Sequence, residues 1–470
     1  MPVFLIQLII SYNPKILCHN RRTVMPITSI EKFGIIERDK SYQDLNSMPS
    51  PSWAKSAIMY EVYLRSFSKD GTMKSLMKKL PDLKDFGIDI LWLMPIHLIG
   101  HLKRKGPLGS PYAIRDFYRI NPEFGNKDDF LELVNACHEL DMRIVMDFVA
   151  NHAANDHIEV KNHPDWFKQD DKGNFSREVP GWSDVIDFNY ENQELRKYIM
   201  DVALYWAKEF KIDGYRCDVA GMVPEDFWVE LRAELQKINP EFLMIAEWED
   251  PEMHLSSFDV TYDWVLYYKL YEVYNESATV ADVADLITRR NQEFPQDALR
   301  LRFLENHDQA RATYKFGAKS YRPYAAIIFA LDGIPLLYNG QETGDPKHLT
   351  LFDKNPINWK VKGANETRKF YNSLITLRKE NEVLTAGDTE ILENDQPDHI
   401  LSFSRTLDNK KAVVVLNLKD FDIAVSLNLE AVKNKNWNAF DIQTLSTEQA
   451  QPNKWDLVMA PFGGKIFISE

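Results

Sequence analysis

The amino-acid sequence predicts an α/β protein: a (β/α)8 TIM barrel with a short loop-rich excursion after its third strand and a C-terminal antiparallel β-sandwich. Eight short apolar runs alternate with amphipathic stretches between residues 58 and 342. The runs are almost uniformly apolar, as in parallel strands buried on both faces. After about residue 385 closely spaced strands with polar turns follow, a pattern typical of a β-sandwich.

The eight runs are separated by segments that can form the helices of right-handed crossovers, which parallel strands require. Residues 126–141 repeat apolar side chains at helical spacing behind Asn126, a candidate N-cap, and 191–210 show the same spacing. A doubly wound open sheet is the structural alternative, but the sequence contains neither GxGxxG nor GxxxxGK(S/T). The runs are IMYEVYL (58–64), IDILWLMP (88–95), RIVMDFV (143–149), IDGYRCDVA (212–220), FLMIAEW (242–248), DVTYDWV (259–265), RLRFLENHD (300–308) and IPLLYNGQE (334–342).

The pattern divides the chain into an N-terminal arm or linker (1–50), a barrel domain (51–385) and a C-terminal domain (386–470). The gap after the third run is longer than one helix needs, so residues 151–190 are expected to form an inserted subdomain over the barrel mouth. A helix is expected at Glu366–Glu380. The expected C-terminal strands are HILSFSRT (399–406), KAVVVLNLK (411–419), IAVSLNL (423–429), FDIQTLS (440–446), DLVMAP (456–461) and GKIFIS (464–469).

Charge and cysteine content argue against several classes of partner and site. The formal charge is −14, from 56 basic and 70 acidic residues, so a nucleic acid would be repelled. The three cysteines, Cys18, Cys137 and Cys217, form no CxxC pair, which argues against a disulfide framework or a cysteine-based zinc site. The sequence does not predict the oligomeric state.

No apolar run is long enough to predict a membrane span. The stretch Phe4 to Ile10 lacks the flanks of a signal peptide, and Met25 is an alternative start. We therefore expect a cytoplasmic protein, with a periplasmic or secreted location as the alternative.

Reactive side chains in such a barrel project from the carboxyl ends of several strands. Here those ends carry mostly acidic residues with one arginine and two histidines. Taken singly, each is more often a salt-bridged or structural group than a catalyst. Their joint position at four strand ends favours an active site. They are Asp147, Asn151 and His152 after the third run, Arg216 and Asp218 in the fourth, Glu247 in the fifth, and Asn306, His307 and Asp308 in the seventh.

Converging carboxylates suit glycoside hydrolysis, in which one carboxylate attacks and another donates a proton. Arg216 and Asp218 lie two residues apart and share a strand face, so Arg216 is expected to lower the pKa of Asp218. Glu247 has no adjacent cation in the sequence and is the better proton carrier. A metalloenzyme barrel is the competing interpretation, but HExxH and a close Cys/His cluster are both missing from the sequence.

Four strings, DFVANH (147–152), GYRCDVA (214–220), IAEW (245–248) and FLENHD (303–308), resemble the ordered signature segments of the α-amylase family of glycoside hydrolases. The flanking strings FGIDILWLMPI (86–96), GSPYAIRDFYRINPEFG (109–125), DFNYEN (187–192) and PLLYNGQETG (335–344) are also similar to that family. The resemblance covers about residues 53–385 in the family's order.

The resemblance implies a role for each matching position. Asp218 would be the nucleophile, Glu247 the general acid and then base, and Asp308 the second aspartate that holds sugar hydroxyls. Arg216 would orient Asp218. His152 and His307 would hydrogen-bond the sugar beside the scissile bond, with Tyr112 as its stacking platform. Hydrolysis would be retaining, with the Asp218 and Glu247 carboxyl groups about 5–5.5 Å apart.

Two departures bear on specificity and metal content. Strict exo-acting α-glucosidases of the family place an aspartate where this chain has Gly109, so an open cleft that cleaves within α-1,4-glucans is expected. No cofactor is expected for the chemistry. A structural calcium ion is possible at Asn151, whose counterpart binds calcium in some members together with a main-chain carbonyl at the position of Met222, although the short excursion offers few oxygen ligands.

The leading prediction is an α-amylase-like hydrolase acting on starch-type glucans and maltooligosaccharides. A transglycosylase or isomerase, or an α-glucosidase or cyclomaltodextrinase of the same family, would use the same residues. A catalytically inactive carbohydrate-binding relative is the non-enzymatic alternative, but such relatives usually lose a catalytic acid, and all three acids are present.

Overall fold

The computed structural model describes residues 41–427, 436–450 and 455–469. The expectations for Phe4 to Ile10, Met25 and Cys18 lie outside the described residues. The described end of the predicted arm lies against the barrel: the Tyr42 amide donates to the Gln292 carbonyl at 3.2 Å and the Met48 amide to the His254 carbonyl at 2.8 Å.

Eight parallel strands close into a barrel. Each strand pairs with the barrel strands before and after it in the sequence, and the eighth pairs with the first. Each lies within or overlaps one of the eight apolar runs, so the predicted barrel is confirmed. Most strand side chains are fully buried because helices cover the outside and the interior is packed. The barrel strands are Met59–Val62, Ile90–Leu93, Arg143–Phe148, Gly214–Cys217, Leu243–Ala246, Val260–Tyr262, Leu299–Arg302 and Ile334–Tyr338.

Helices connect the strands where amphipathic periodicity predicts them. The Asn126 side chain accepts hydrogen bonds from the Asp128 and Asp129 amides, which fixes the start of helix Lys127–Glu139. Asn192 caps Gln193–Phe210 in the same way. The other α-helices are Leu64–Phe67, Met73–Met77, Leu80–Phe86, Glu225–Ile238, Trp264–Tyr274, Val280–Glu293, Ala312–Lys315, Tyr321–Ala330, Ala364–Glu380 and Glu382–Ala386. No helix in the described ranges is long and apolar enough to cross a membrane.

Two long connections cover the carboxyl end of the barrel. The excursion after the third strand contains an antiparallel pair, His152–Ala154 with Val185–Asp187, and one 3-10 turn, Pro164–Trp166. The connection after the second strand contains a second antiparallel pair, His97–Ile99 with Ile114–Ile120, which the sequence patterns did not predict.

The C-terminal domain contains a six-stranded antiparallel sheet and a separate two-stranded antiparallel sheet. Apolar side chains of both, including Val413, Trp437 and Trp455, form its core. In spatial order the larger sheet contains Asp388–Ile391, Ile400–Leu407, Lys410–Asn417, Gly464–Ser469, Trp437–Asp441 and Ser446–Ala450, and the smaller sheet contains Ile423–Leu427 and Trp455–Met459.

One strand prediction in this domain was wrong, and one strand was not predicted. FDIQTLS (440–446) is not one strand. Its first two residues end strand Trp437–Asp441, its last residue begins strand Ser446–Ala450, and the residues between form a turn. The turn is closed by Asp441, whose carboxylate accepts from the Gln443 and Thr444 amides, a local bond that ends strand pairing. The edge strand Asp388–Ile391 was not predicted because it is largely polar and exposed.

Candidate active site

The carboxyl ends of the third, fourth, fifth and seventh barrel strands bring the predicted acidic residues together in one buried cluster. Asp218, Glu247 and Asp308 are only 5%, 6% and 5% exposed. Arg216 and His307 lie among them and are also buried. The chain therefore places several ionisable groups where solvent can screen them only weakly.

Arg216 is the centre of this cluster. Its Nη1 donates to Asp147 Oδ1 and to Asp218 Oδ1, both at 2.8 Å. Its Nη2 lies 2.8 Å from Glu247 Oε1, and its Nε donates to the Tyr262 hydroxyl at 3.1 Å. One guanidinium thus contacts three carboxylates from three neighbouring strands.

These contacts correct two expectations from the sequence. Glu247 does have an adjacent cation, since Arg216 contacts it as closely as it contacts Asp218. The pKa of Asp218 is raised rather than lowered, because burial outweighs the opposing charge of Arg216. Burial likewise raises the pKa of Glu247 against the effect of Arg216. The three carboxyls therefore compete for one cation, which favours a proton shared within the cluster.

Asp308 and His307 form the opposite side of the cluster. Burial raises the pKa of Asp308 to about 7, although the neighbouring His307 opposes this shift. Burial lowers the pKa of His307. The His307 Nδ1 hydrogen-bonds the Glu61 carboxylate, and its Nε2 lies 3.4 Å from Asp308 Oδ2. Glu61 contacts the site but was not predicted from the sequence. It could have been noticed as the one charged residue inside the apolar run IMYEVYL, which forms a buried strand.

Tyr112 lies against this histidine, with ring centroids 5.4 Å apart and planes at 24°. Its hydroxyl donates to Asp147 Oδ2 at 3.0 Å and shares a 2.8 Å hydrogen bond with His307 Nε2. These two hydrogen bonds fix the orientation of the Tyr112 side chain through its hydroxyl group. The structure places Tyr112 in the cluster that the sequence predicts.

His152 lies on the other side of Asp218, with its Nε2 3.8 Å from Asp218 Oδ2. Burial lowers the pKa of His152 to about 4, so the ring is neutral near pH 7. Its ring packs against Trp182 of the excursion, with centroids 5.3 Å apart.

A cavity opens beside Asp218, bordered by both long connections. Tyr112 and His152 line it together with Trp182. An ion pair crosses its wall: Lys105 Nζ lies 3.0 Å from Asp184 Oδ1 and donates to the Gly181 carbonyl at 2.8 Å. Neither residue of this pair was singled out from the sequence. Both residues lie in loops, where neither apolar periodicity nor motif spacing identifies a functional residue.

The predicted calcium position at Asn151 has few possible ligands. The Asn151 amide shares a 3.2 Å hydrogen bond with His152 Nδ1. Among residues 41–427, 436–450 and 455–469, no group of three or more His, Cys, Asp or Glu side chains is placed to bind a metal ion. Calcium takes six to eight oxygen ligands. The described side chains therefore form no acidic cluster for the ion, and no step of the chemistry is assigned to it.

A chelator tests the calcium hypothesis. Incubation with excess EDTA is expected to leave the melting temperature unchanged, because the described side chains offer no acidic cluster whose repulsion a lost ion would expose. The measurement is thermal unfolding followed by circular dichroism. A drop in melting temperature that added Ca²⁺ reverses would show a structural calcium site built mainly from carbonyls.

The raised pKa of Asp308 predicts that this residue destabilises the fold as the pH rises. Below its unfolded pKa of about 3.9 the carboxyl is protonated in both states. Between there and about 7 the folded state keeps the proton that the unfolded state loses, so stability falls with pH. Asp308→Asn should therefore unfold at nearly the wild-type temperature at about pH 4 and at a higher temperature at about pH 8. The control is the exposed Asp171→Asn, and an equal difference at both pH values would contradict this prediction.

The family description "Alpha amylase, catalytic domain" matches residues 41–182 and 179–354. The crystal structure of a noncanonic maltogenic alpha-amylase, AmyB, from Thermotoga neapolitana superposes with a TM-score of 0.81 at 35% identity and covers 88% of this chain and 99% of that chain. An intracellular maltogenic amylase of Bacillus subtilis is 29% identical over 448 residues, covering 85% of this chain and 74% of the relative.

Alpha-amylase MalA of Haloarcula japonica is 28% identical over 400 residues, or 80% of this chain. The present chain spans 58% of the length of MalA. The family description covers most of the barrel domain, and the likeness to AmyB extends over nearly all of both chains. The chain therefore belongs to the α-amylase family of glycoside hydrolases.

Proposed function

We propose that this enzyme cleaves α-1,4-glucosidic bonds of starch-type glucans and maltooligosaccharides by a retaining double displacement. The observation that carries the proposal is the contact of one buried guanidinium, Arg216, with the carboxyls of Asp218 and Glu247 at the mouth of an α-amylase-family barrel. We assign residues 51–385 to the catalytic barrel, 151–190 to its inserted subdomain and 386–470 to the C-terminal domain.

In the first step Asp218 attacks the anomeric carbon. The bond from that carbon to the glycosidic oxygen breaks as the bond to Asp218 forms, and Glu247 gives its proton to the departing oxygen. Arg216 Nη1, bonded to Asp218 Oδ1, leaves Asp218 Oδ2 as the oxygen that reacts. Burial raises the pKa of Glu247, which is the direction that a general acid requires.

In the second step Glu247 acts as a base. Its carboxylate takes a proton from water while the water oxygen attacks the anomeric carbon and releases Asp218 as a carboxylate. The Val219 amide donates to Glu247 Oε2 at 2.8 Å, which holds the carboxyl in one orientation through both steps. Protons balance because Glu247 ends the cycle protonated.

The remaining residues would bind the sugar. Asp308 and the two neutral histidines, His152 and His307, surround the space next to Asp218 and offer acceptors and donors for sugar hydroxyls. Tyr112 supplies an aromatic face of the kind on which a pyranose stacks. Asp308 would strengthen its hold as positive charge develops on the sugar, because an anion is worth most where water is excluded.

The open-cleft proposal has a steric basis at Gly109. This glycine has φ +79°, and a Cβ there would lie 2.6 Å from Arg104 Cδ. A carboxylate-bearing residue at 109 would therefore require the Arg104 side chain to move. The Lys105–Asp184 pair lines the cavity beside Asp218, so these two side chains would limit the glucan chain if the cleft were closed on that side.

Paired variants test the two catalytic assignments. Asp218→Asn should reduce turnover to below about 1% with any substrate, because an amide cannot attack the anomeric carbon. Glu247→Gln should lose about 10²–10⁴-fold on maltoheptaose but stay close to wild type in forming the intermediate from α-maltosyl fluoride, whose leaving group needs no proton. Initial rates and burst amplitudes measure both effects.

The matched controls for these variants are Asp171→Asn and Glu209→Gln, which change exposed carboxyls. Both should retain wild-type rates. Substantial turnover by Asp218→Asn, or no burst from the fluoride with Glu247→Gln, would refute the corresponding role.

Product analysis tests the reaction itself. Wild-type enzyme acting on maltoheptaose should release α-anomers in the first minutes, as proton NMR detects, because two displacements retain configuration. Maltotetraose and longer chains should be much better substrates than maltose, and internal cuts should lower starch viscosity early.

Each other outcome points to a different reaction. Initial β-anomers would refute the double displacement. Products longer than the substrate would identify the transglycosylase alternative. Release of single glucose units, with viscosity falling only in proportion, would show that a residue other than 109 closes the cleft.

A further inference from the structure

Lys315 is an unusual lysine near the acidic cluster. It is the last residue of helix Ala312–Lys315, which follows the loop that carries Asp308. The side chain is only partly exposed, and its Nζ donates to the Tyr267 hydroxyl at 2.6 Å and to Gln309 Oε1 at 3.2 Å. The proposed mechanism does not use this group.

Tyrosine rings surround the Lys315 ammonium. Nζ lies 4.5 Å from the centroid of Tyr267, 4.4 Å from Tyr271 and 6.0 Å from Tyr268, all on helix Trp264–Tyr274. Cation–π attraction offsets part of the cost of removing the charge from water. Burial nevertheless lowers the pKa of Lys315 to about 7, so the charged form is held at a cost to folding stability.

The partner of Lys315 directly follows Asp308. The Gln309 side chain is buried, and its Oε1 accepts from both Lys315 Nζ and the Tyr267 hydroxyl, the latter at 2.8 Å. From the other side, Asn306 holds the same turn: its Oδ1 accepts from the Asp308 amide at 2.9 Å and its carbonyl from the Gln309 amide at 3.2 Å. The turn that presents Asp308 is thus held at both ends.

The Asp308 carboxylate also acts electrostatically on Tyr268, one of the tyrosines around Lys315. Burial raises the pKa of Tyr268, and the charge of Asp308 adds to this shift. Tyr267 and Tyr268 are adjacent on one helix, and their ring centroids lie 5.2 Å apart. A displacement of Lys315 would therefore reach Asp308 through Gln309 and its tyrosine neighbours.

We propose that Lys315 is a positioning residue for Asp308: with the Tyr267 hydroxyl it holds the Gln309 side chain, and so sets where the Asp308 carboxylate meets the substrate. The inference rests on the proposed function, in which Asp308 binds sugar hydroxyls. A displacement of about 1 Å at such a group can lower the rate about 10²-fold. A merely structural lysine would instead affect stability and rate independently of Asp308.

The first test compares Lys315→Met with the exposed control Lys319→Met. Methionine keeps the unbranched chain as far as the Cε position of lysine but has neither the charge nor the donors. We expect kcat/KM on maltoheptaose to fall about 10–100-fold in Lys315→Met, with a melting temperature equal to or above wild type because a buried charge is removed. Lys319→Met should match wild type in both measurements. Wild-type kcat/KM in Lys315→Met would overturn the proposal.

A double-mutant cycle separates positioning from general support. The four proteins are wild type, Lys315→Met, Asp308→Asn and the double variant, assayed with α-maltosyl fluoride to keep residual rates measurable. We expect Lys315→Met to cost 10-fold or more in the wild-type background and less than about twofold once Asp308 is replaced. Equal losses in both backgrounds would overturn the proposal.

Tyr267→Phe covers the case in which Lys315→Met does not fold. It removes one hydroxyl and keeps the ring, and it should lower kcat/KM in the wild-type background but not in Asp308→Asn. An unchanged rate in Tyr267→Phe would then refute the proposal. If Asp308→Asn alone proves as active as wild type, the proposed function of Asp308 fails, which is a result distinct from failure of the Lys315 link.

Discussion

The site depends on the burial of one cation, Arg216, among carboxylates. Taking an ion out of water costs several kcal/mol, so the arrangement persists only because its partners meet it with good geometry. The barrel register supplies that geometry: Asp147 lies directly opposite Arg216 on the third strand, and Ile245 lies opposite it on the fifth. Asp218 lies two residues after Arg216, and Glu247 lies two residues after Ile245. Their side chains therefore lie on the same face of the sheet as the Arg216 guanidinium.

A second network of charges, in which the arginines are buried, connects the barrel with the C-terminal domain. Asp332, just before the eighth strand, contacts Arg302 at 3.1 Å and accepts from Arg405 of the C-terminal sheet at 3.0 Å. The charges of Arg302, Arg405 and Arg300 outweigh burial and hold the pKa of Asp332 well below its usual range. Cations are in excess here, whereas carboxyls are in excess around Arg216. Asp332 therefore remains an ionised structural group, while the carboxyls around Arg216 keep raised pKa values.

Local patterns predicted the parts of the fold that local physics controls. Burial on both faces makes a barrel strand apolar throughout, so each barrel strand could be found from its run, and the cap at Asn126 marks a helix start. The same reasoning failed for Asp388–Ile391, whose side chains are largely solvated, and for FDIQTLS, where a polar turn interrupts an apolar run. Strand pairing decides the backbone of Asp388–Ile391, and the hydrogen bonds to Asp441 decide the turn in FDIQTLS, so apolar periodicity marks neither.

The sequence by itself determined the barrel, its order of strands and the strand ends that carry Asp218, Glu247 and Asp308, because a parallel strand must present its carboxyl end at the same rim as its neighbours. Only the tertiary structure decided the electrostatics of those residues. Arg216 contacts Glu247 as well as Asp218, and Glu61 meets His307 across the closed barrel. Such pairings depend on distances between strands that are far apart in the chain. Burial raises the pKa of each carboxyl, and residue spacing in the sequence does not predict the extent of burial.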